Sequence, residues 1–263
     1  MNQNMKEEIS SLNGSVEKKI FYLSGFFRCG NTLLRSIINQ NPDFCITPNS
    51  ILPEVAYRLH ELKQNDIYKE YPLKKYFDCI IKNIFKNYFS LYKQKYILEQ
   101  GRWGTPANFN ILKEYGFLPA KFIILIRPFV EIVSSWMRVN NLSQPQTAKQ
   151  CDKLMGEHAQ IGQAFLALDF LTKEYKENLL IIKYKDLCSN TEETIKSIYD
   201  FLDIPYYQKH RFTNLEQVDG HNFQTTIRTD KTEQKVYTDK IVIPLKVREK
   251  YKNVYKLFKQ YES

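Results

Sequence analysis

The chain has 263 residues, 43% of them hydrophobic and 14% aromatic, which suits one sizeable α/β core and argues against global disorder. Its formal net charge of +9 favours polyanions such as nucleotide phosphates, acidic glycans, nucleic acid or an anionic membrane, although a Lys-rich composition alone gives the same excess. The five cysteines form no C-x-x-C pair and no Cys/His zinc spacing, and no 18-residue apolar run occurs, so a disulfide scaffold, a metal site and a membrane span are not expected. Scattered thiols of this kind suit a reduced, cytoplasmic protein.

Residues 1–18 read as a flexible polar tail without the apolar stretch of a secretory signal. Residues 19–263 read as one domain. Lys19 to Ser24 is a short buried strand, and Thr32 to Asn39 has the apolar spacing of a helix, ended by Asn41-Pro42-Asp43. Phe44 to Ile46 suits a strand, followed by a loop at Thr47 to Ser50. Helices are expected at Leu52 to Leu62 and Leu73 to Tyr92, making a helical segment over about 50–95. Tyr96 to Leu98, Lys121 to Ile126 and Leu179 to Ile182 read as further strands. Pro128 suits the first turn of a helix after the second of these. Ala148 to Tyr175 is mostly helical by pattern, and Thr191 to Leu202 is a helix with Thr191 or Asn190 as its cap. The chain is irregular from Pro205 to Asp230, and Pro244 to Tyr261 reads as a basic amphipathic closing helix. Strand–helix alternation predicts an α/β fold, a parallel β-sheet flanked by helices, with ligands at the carboxyl ends of the strands.

The segment Phe21-Tyr22-Leu23-Ser24-Gly25-Phe26-Phe27-Arg28-Cys29-Gly30-Asn31-Thr32 is a strand, a glycine-bounded loop and a helix start. Gly25 and Gly30 stand five apart and Thr32 follows, which is the frame of a P-loop. Asn31 holds the place of the usual Walker lysine, and Arg28 supplies a cation inside the loop instead. Backbone N–H groups of Arg28 to Thr32 and the helix amino end would make an anion nest. A tight strand–helix turn without a ligand fits the same residues. A second constellation is Arg127 at the end of a strand with Ser135 eight residues on, two turns into the next helix. The two can converge on one phosphate, or Arg127 can pair with Glu131.

Together these segments resemble the PAPS-dependent sulfotransferases, whose donor is 3′-phosphoadenosine 5′-phosphosulfate, and in particular a bacterial branch of that family. The family's first motif, strand-G-x-P-[RK]-S-G-[TS]-T-L-L, corresponds to Gly25 through Leu34 here. The resemblance implies that Arg28, Cys29, Gly30, Asn31, Thr32 and Leu33 hold the 5′-phosphosulfate. The second motif, R-[DP]-P-x-[ED]-[IV]-x-x-S, implies that Arg127 and Ser135 hold the 3′-phosphate. Tyr184, in Ile182-Lys183-Tyr184-Lys185-Asp186-Leu187, is similar to a family tyrosine near the adenine, although a core tyrosine reads the same way. Asn41-Pro42 with Thr47-Pro48-Asn49-Ser50, and His210-x-Phe212-x-Asn214 with Ile227-Arg228, look like the bacterial branch, which implies that Arg228 closes over the donor. The chain departs from the pattern at Phe27 for Pro, Cys29 for Ser and Asn31 for Thr or Ser. Cys29, if exposed in the electropositive nest, would be sensitive to oxidation.

The family implies a P-loop nucleoside triphosphate hydrolase-like (sulfotransferase) fold and in-line sulfuryl transfer to a hydroxyl of a glycan, lipid or small metabolite, without a metal. Arg28 and Thr32 would then steady the leaving oxygen. The 50–95 segment would form the acceptor side. The family's base position falls near Asn49, which cannot serve, so Glu54, with His60 as the other nearby group, is the expected base. Trp103 suits a sugar platform or a core or lid position. A kinase-like P-loop phosphotransferase and a nucleotide-binding relative without turnover remain open readings. No motif for nucleic acid is present, and nothing reads one acceptor or one oligomeric state.

Overall fold

A computed structural model describes residues 18–66, 74–213, 215 and 241–261. Five strands, Lys19–Leu23 (β1), Phe44–Ile46 (β2), Tyr96–Gln100 (β3), Phe122–Ile126 (β4) and Leu179–Lys183 (β5), form one sheet in the order β2-β3-β1-β4-β5. All neighbouring pairs are parallel. Parallel neighbours need crossover connections, and the helices Asn31–Ile38 (α1), Leu52–Gln64 (α2), Lys74–Ser90 (α3), Pro106–Glu114 (α4), Phe129–Val139 (α5), Thr147–Met155 (α6) and Gln160–Glu174 (α7) lie in them, while Tyr184–Ser189 (α8), Thr191–Leu202 (α9), Leu245–Lys250 (α10) and Lys252–Lys259 (α11) follow β5. Every side chain of β4 is buried, the pattern of a strand covered on both faces.

The strand order decides where a ligand fits. From β1 the chain crosses to the β2–β3 side, and from β3 it crosses back past β1 to β4 and β5. The crevice above the carboxyl end of β1 is therefore a topological switch point. The loop Gly25–Gly30 lies there.

The expected elements are present, with shifts that have physical causes. β3 runs two residues further than expected, to Gln100, because its full length pairs with β1. The helix expected over Ala148 to Tyr175 is two helices. Gly156 ends α6 in an extended conformation, and α7 packs so closely that a Cβ on Gly162 would lie 2.0 Å from the Gly156 carbonyl oxygen. The closing helix divides at Tyr251 into α10 and α11. Asn190 occupies the N-cap position of α9 without a side-chain cap; the Thr191 hydroxyl instead faces the Cys188 carbonyl at 3.5 Å. The sequence reading missed α4, whose start at Thr105-Pro106 follows a glycine-containing stretch, and the single-turn α8. The 1–17 part of the expected tail, residues 67–73 and most of 214–240 lie outside the described residues.

One face of the sheet is an aromatic core. Trp103 is fully buried against Tyr22 and Phe85, with ring centroids 5.6 and 5.2 Å away. This corrects the idea of Trp103 as a sugar platform: its indole belongs to the core.

Candidate functional site

The loop after β1 is bent by two residues in the left-handed region, Arg28 (φ 61) and Gly30 (φ 97). A non-glycine there costs about 1 kcal/mol, and Arg28 is over-determined by its contacts. Its Nε donates to Ser135 Oγ on α5 at 3.0 Å, and its carbonyl accepts from Arg127 Nη1 at 3.3 Å. The two sequence constellations thus meet at Arg28. Asn31 Nδ2 donates to the Phe26 carbonyl at 3.1 Å and pins the loop across its neck. Asn31 Oδ1 is buried and has no hydrogen-bond partner among the described residues. Thr32 and Leu33 are half-buried in the first turn of α1, which carries no acidic residue.

Gly30 is required twice over. Its φ favours glycine, and a Cβ would lie 2.6 Å from the Tyr184 ring. Tyr184 begins α8 at the end of β5 and forms a wall of the loop. The Arg127 guanidinium lies over its ring, 4.3 Å from the centroid. Burial raises the Tyr184 phenol to about 12, so it is neutral near pH 7.

Arg127 also pairs with Glu131 at 2.7 Å, both side chains being largely buried. The pairing considered from the sequence and the approach to the loop coexist, because Nε serves Glu131 while Nη1 serves Arg28. The charge balance is positive. Arg28 is held below its ordinary value first by burial and then by the fields of Arg138 and Arg127. Arg138, which the sequence reading missed, stands three residues after Ser135 on α5, a spacing that puts both on one helix face.

Cys29 is fully buried, and burial pushes its thiol far up. The condition for an oxidation-prone thiol, exposure in the nest, is therefore not met. Glu54 is exposed and its Oε1 binds Arg58 Nε at 2.9 Å. His60 Nδ1 stands 3.3 Å from Tyr115 Oη and 3.5 Å from Glu114 Oε2. It lines a cavity of about 470 Å³ between α2 and α4, together with Tyr57, Gln64 and Asn110. Arg228 lies outside the described residues. His210, from the same family-like region, is described, and its Nε2 meets Tyr199 Oη at 2.9 Å.

At the carboxyl end of β3 the structure adds a group that no motif marked. Glu99 is fully buried; its Oε2 accepts the indole N–H of Trp103, while its Oε1 has no hydrogen-bond partner among the described residues.

A parallel sheet ordered β2-β3-β1-β4-β5, with a glycine-bounded loop running from the central strand into a helix, defines an α/β protein of the P-loop nucleoside triphosphate hydrolase-like class. The chain belongs to the sulfotransferase domain family, whose model matches residues 18–253. Solved structures agree on the fold. The sulfotransferase domain from the curacin biosynthetic pathway is 17% identical, with a TM-score of 0.56 over 94% of this chain and 99% of that one. The sulfotransferase domain of the Synechococcus PCC 7002 olefin synthase is 19% identical, with a TM-score of 0.56 over 93% and 96%. Mouse sulfotransferase SULT7A1, solved in complex with PAP, is 15% identical, with a TM-score of 0.51 over 97% and 94%. No curated protein sequence matches the chain. Among the described residues no helix is long and apolar enough to cross a membrane.

Proposed function

We propose that this chain transfers a sulfuryl group from 3′-phosphoadenosine 5′-phosphosulfate to a hydroxyl of a glycan, lipid or small metabolite. One observation carries the reading: Arg28 of the loop is hydrogen-bonded to Ser135, and Arg127 to the Arg28 carbonyl, so both family motifs form a single cationic site. The site fits a polyanion. The guanidinium groups of Arg127 and Arg138 act on that of Arg28, and Arg127 is paired with the Glu131 carboxylate. Asn31 Oδ1 is a buried oxygen without a hydrogen-bond partner among the described residues. The SULT7A1 structure, solved in complex with PAP, supports a bisphosphate nucleotide as the ligand class.

The bound donor would supply an already activated sulfuryl group. In this reading the backbone of Arg28, Cys29, Gly30, Asn31, Thr32 and Leu33 binds the 5′ end, with the amino end of α1 favouring negative charge. The Arg28 guanidinium and the Thr32 hydroxyl neutralise charge as it develops on the leaving oxygen. Arg127 and Ser135 bind the 3′-phosphate, and Tyr184 offers its ring to the purine. Arg228 is the group proposed to close over the donor. Fixed guanidinium groups do the work of charge neutralisation, so the reading assigns no metal. Glu54 and His60 flank the acceptor side within about 50–95, in a domain spanning 19–263. Five scattered cysteines suit a reducing, cytoplasmic setting. A kinase-like reading lacks its lysine, since Asn31 stands in that place and is tied back to Phe26.

The test is incubation of the purified protein with the donor and a panel of phenols, sugars and lipid alcohols. Release of PAP would be followed together with the mass gain of one sulfate on an acceptor. Formation of a sulfate ester supports the proposal. Binding of PAP with no PAP release, even to water, would identify a non-catalytic relative instead.

A further inference from the structure

The loop after β1 is strained at Arg28, whose φ of 61 lies in the left-handed region. Such a backbone persists only where its surroundings over-determine it. The hydrogen bonds from Asn31 Nδ2 to the Phe26 carbonyl and from Arg28 Nε to Ser135 Oγ supply part of that constraint. The rest is apolar. Phe26 and Phe27 precede Arg28, and each ring is held by a residue distant in the chain. The Phe27 ring meets Trp136, the neighbour of Ser135 on α5, edge-on at 5.2 Å. The Phe26 ring is fully buried and lies 4.9 Å from the ring of Phe258 on α11. The buried Phe258 ring is also 5.9 Å from that of Phe129, the first residue of α5. One ring of α11 thus packs on both segments that meet at the site: the loop that carries Arg28 and the helix that carries Ser135.

The sequence of α11 suits this place. Val254, Tyr255 and Phe258 fall on one face by their spacing, while Lys252, Lys256 and Lys259 are exposed. The Tyr255 ring also packs on Phe129, at 5.1 Å. The chain leading into α11 is tied down without help from the loop. The Val242 carbonyl accepts from Gln144 Nε2 at 2.8 Å, and Val242 N donates to Gln144 Oε1 at 3.3 Å. Asp152 Oδ1 of α6 accepts from Lys250 Nζ at 2.7 Å and from Tyr251 Oη at 2.8 Å. The amino end of α11 is therefore fixed to α6, and its apolar face meets the loop.

We propose that α11 braces the loop after β1 and that Phe258 is a positioning residue: its ring fills the space between Phe26 and Phe129 and so holds the Arg28 guanidinium against Ser135. The effect on the donor rests on the sulfotransferase reading above, whereas the brace is a property of the protein without ligand. Phe258 acts only through Phe26 and Phe129. A smaller side chain leaves a void into which Phe26 can relax. A loop free to shift by about an ångström loses the alignment that charge neutralisation at the leaving oxygen needs.

The experiment compares wild type with Phe258→Leu and, as a control, Phe109→Leu. Phe109 of α4 is buried too, and its ring lies 5.9 Å from that of Phe122 at the amino end of β4, the end of the sheet away from the loop. Both substitutions should lower the melting temperature. The first readout is hydrogen exchange of the loop amides without ligand, at a temperature where all three proteins are folded. Exchange over 26–31 should be about tenfold faster in Phe258→Leu and unchanged in Phe109→Leu. The second readout is PAP affinity by calorimetry, about tenfold weaker in Phe258→Leu and unchanged in Phe109→Leu. A double variant, Phe26→Leu with Phe258→Leu, should lose no more affinity than the worse single variant, because both act through one contact. Loop exchange or PAP affinity that is equal in Phe258→Leu and Phe109→Leu, or losses that add in the double variant, overturns the brace. If wild type binds no PAP, the donor reading fails, and the exchange comparison alone decides the brace.

Discussion

Gly30 is the position where a single methyl group tests the loop most sharply. An alanine there meets the Tyr184 ring at 2.6 Å while held at φ 97. Gly30→Ala should cost about 1–3 kcal/mol in stability and weaken PAP binding by about tenfold or more, read by denaturant titration and calorimetry. Glu99 makes a prediction of the opposite kind. Its carboxyl is raised from 4.5 to about 7, so below pH 4.5 it is neutral folded or unfolded. Between those values the unfolded chain has released the proton and the folded one retains it. Stability therefore falls as pH rises through this window, by up to about 3 kcal/mol. Glu99→Gln should remove that slope, which thermal melts between pH 4.5 and 8 would show as a flatter curve. Arg28, Gly30, Arg127 and Ser135 were legible as residues because their spacing is local to two short segments. Glu99 was not, because its burial depends on pairing with Tyr22 of β1, which is far away in the chain.

At the scale of elements, α2, α3 and α4 are clamped by a charge network. Lys63 of α2, nearly buried, binds Asp78 of α3 and lies 2.6 Å from Glu114 Oε1 of α4. Removing the cation leaves two half-exposed carboxylates that water can reach, which limits the loss. Lys63→Ala should destabilise the protein by about 2 kcal/mol, measured by urea unfolding, and leave PAP affinity unchanged because the clamp lies outside the loop. The strands were easier to read than the helices. Phe122-Ile123-Ile124-Leu125-Ile126 and Leu179 to Ile182 are continuous apolar runs; the first is buried throughout in the sheet and the second is half-buried at its edge. The break between α6 and α7 and the existence of α4 depend on close approaches at Gly162 and Gly104, which local pattern does not encode. At Gly104 a Cβ would meet Leu171 at 2.6 Å and Ser24 Oγ at 2.8 Å.

For the whole molecule, three of the cations behind the net charge of +9, Arg28, Arg127 and Arg138, come together at the loop after β1. Charge alone did not choose among polyanions. The chain-distant hydrogen bond from Arg28 to Ser135 joins the two motifs, and the proposed function takes a compact, multiply charged ligand there. The measurement that tests this most directly is calorimetric titration of the purified protein with adenosine 3′,5′-bisphosphate, beside AMP and Mg-ATP, in wild type and Arg127→Ala. The account predicts binding of the bisphosphate on the order of micromolar, weaker at higher salt, at least about tenfold weaker for AMP, and lost in Arg127→Ala. Equal affinity for AMP, or a preference for Mg-ATP, would contradict it.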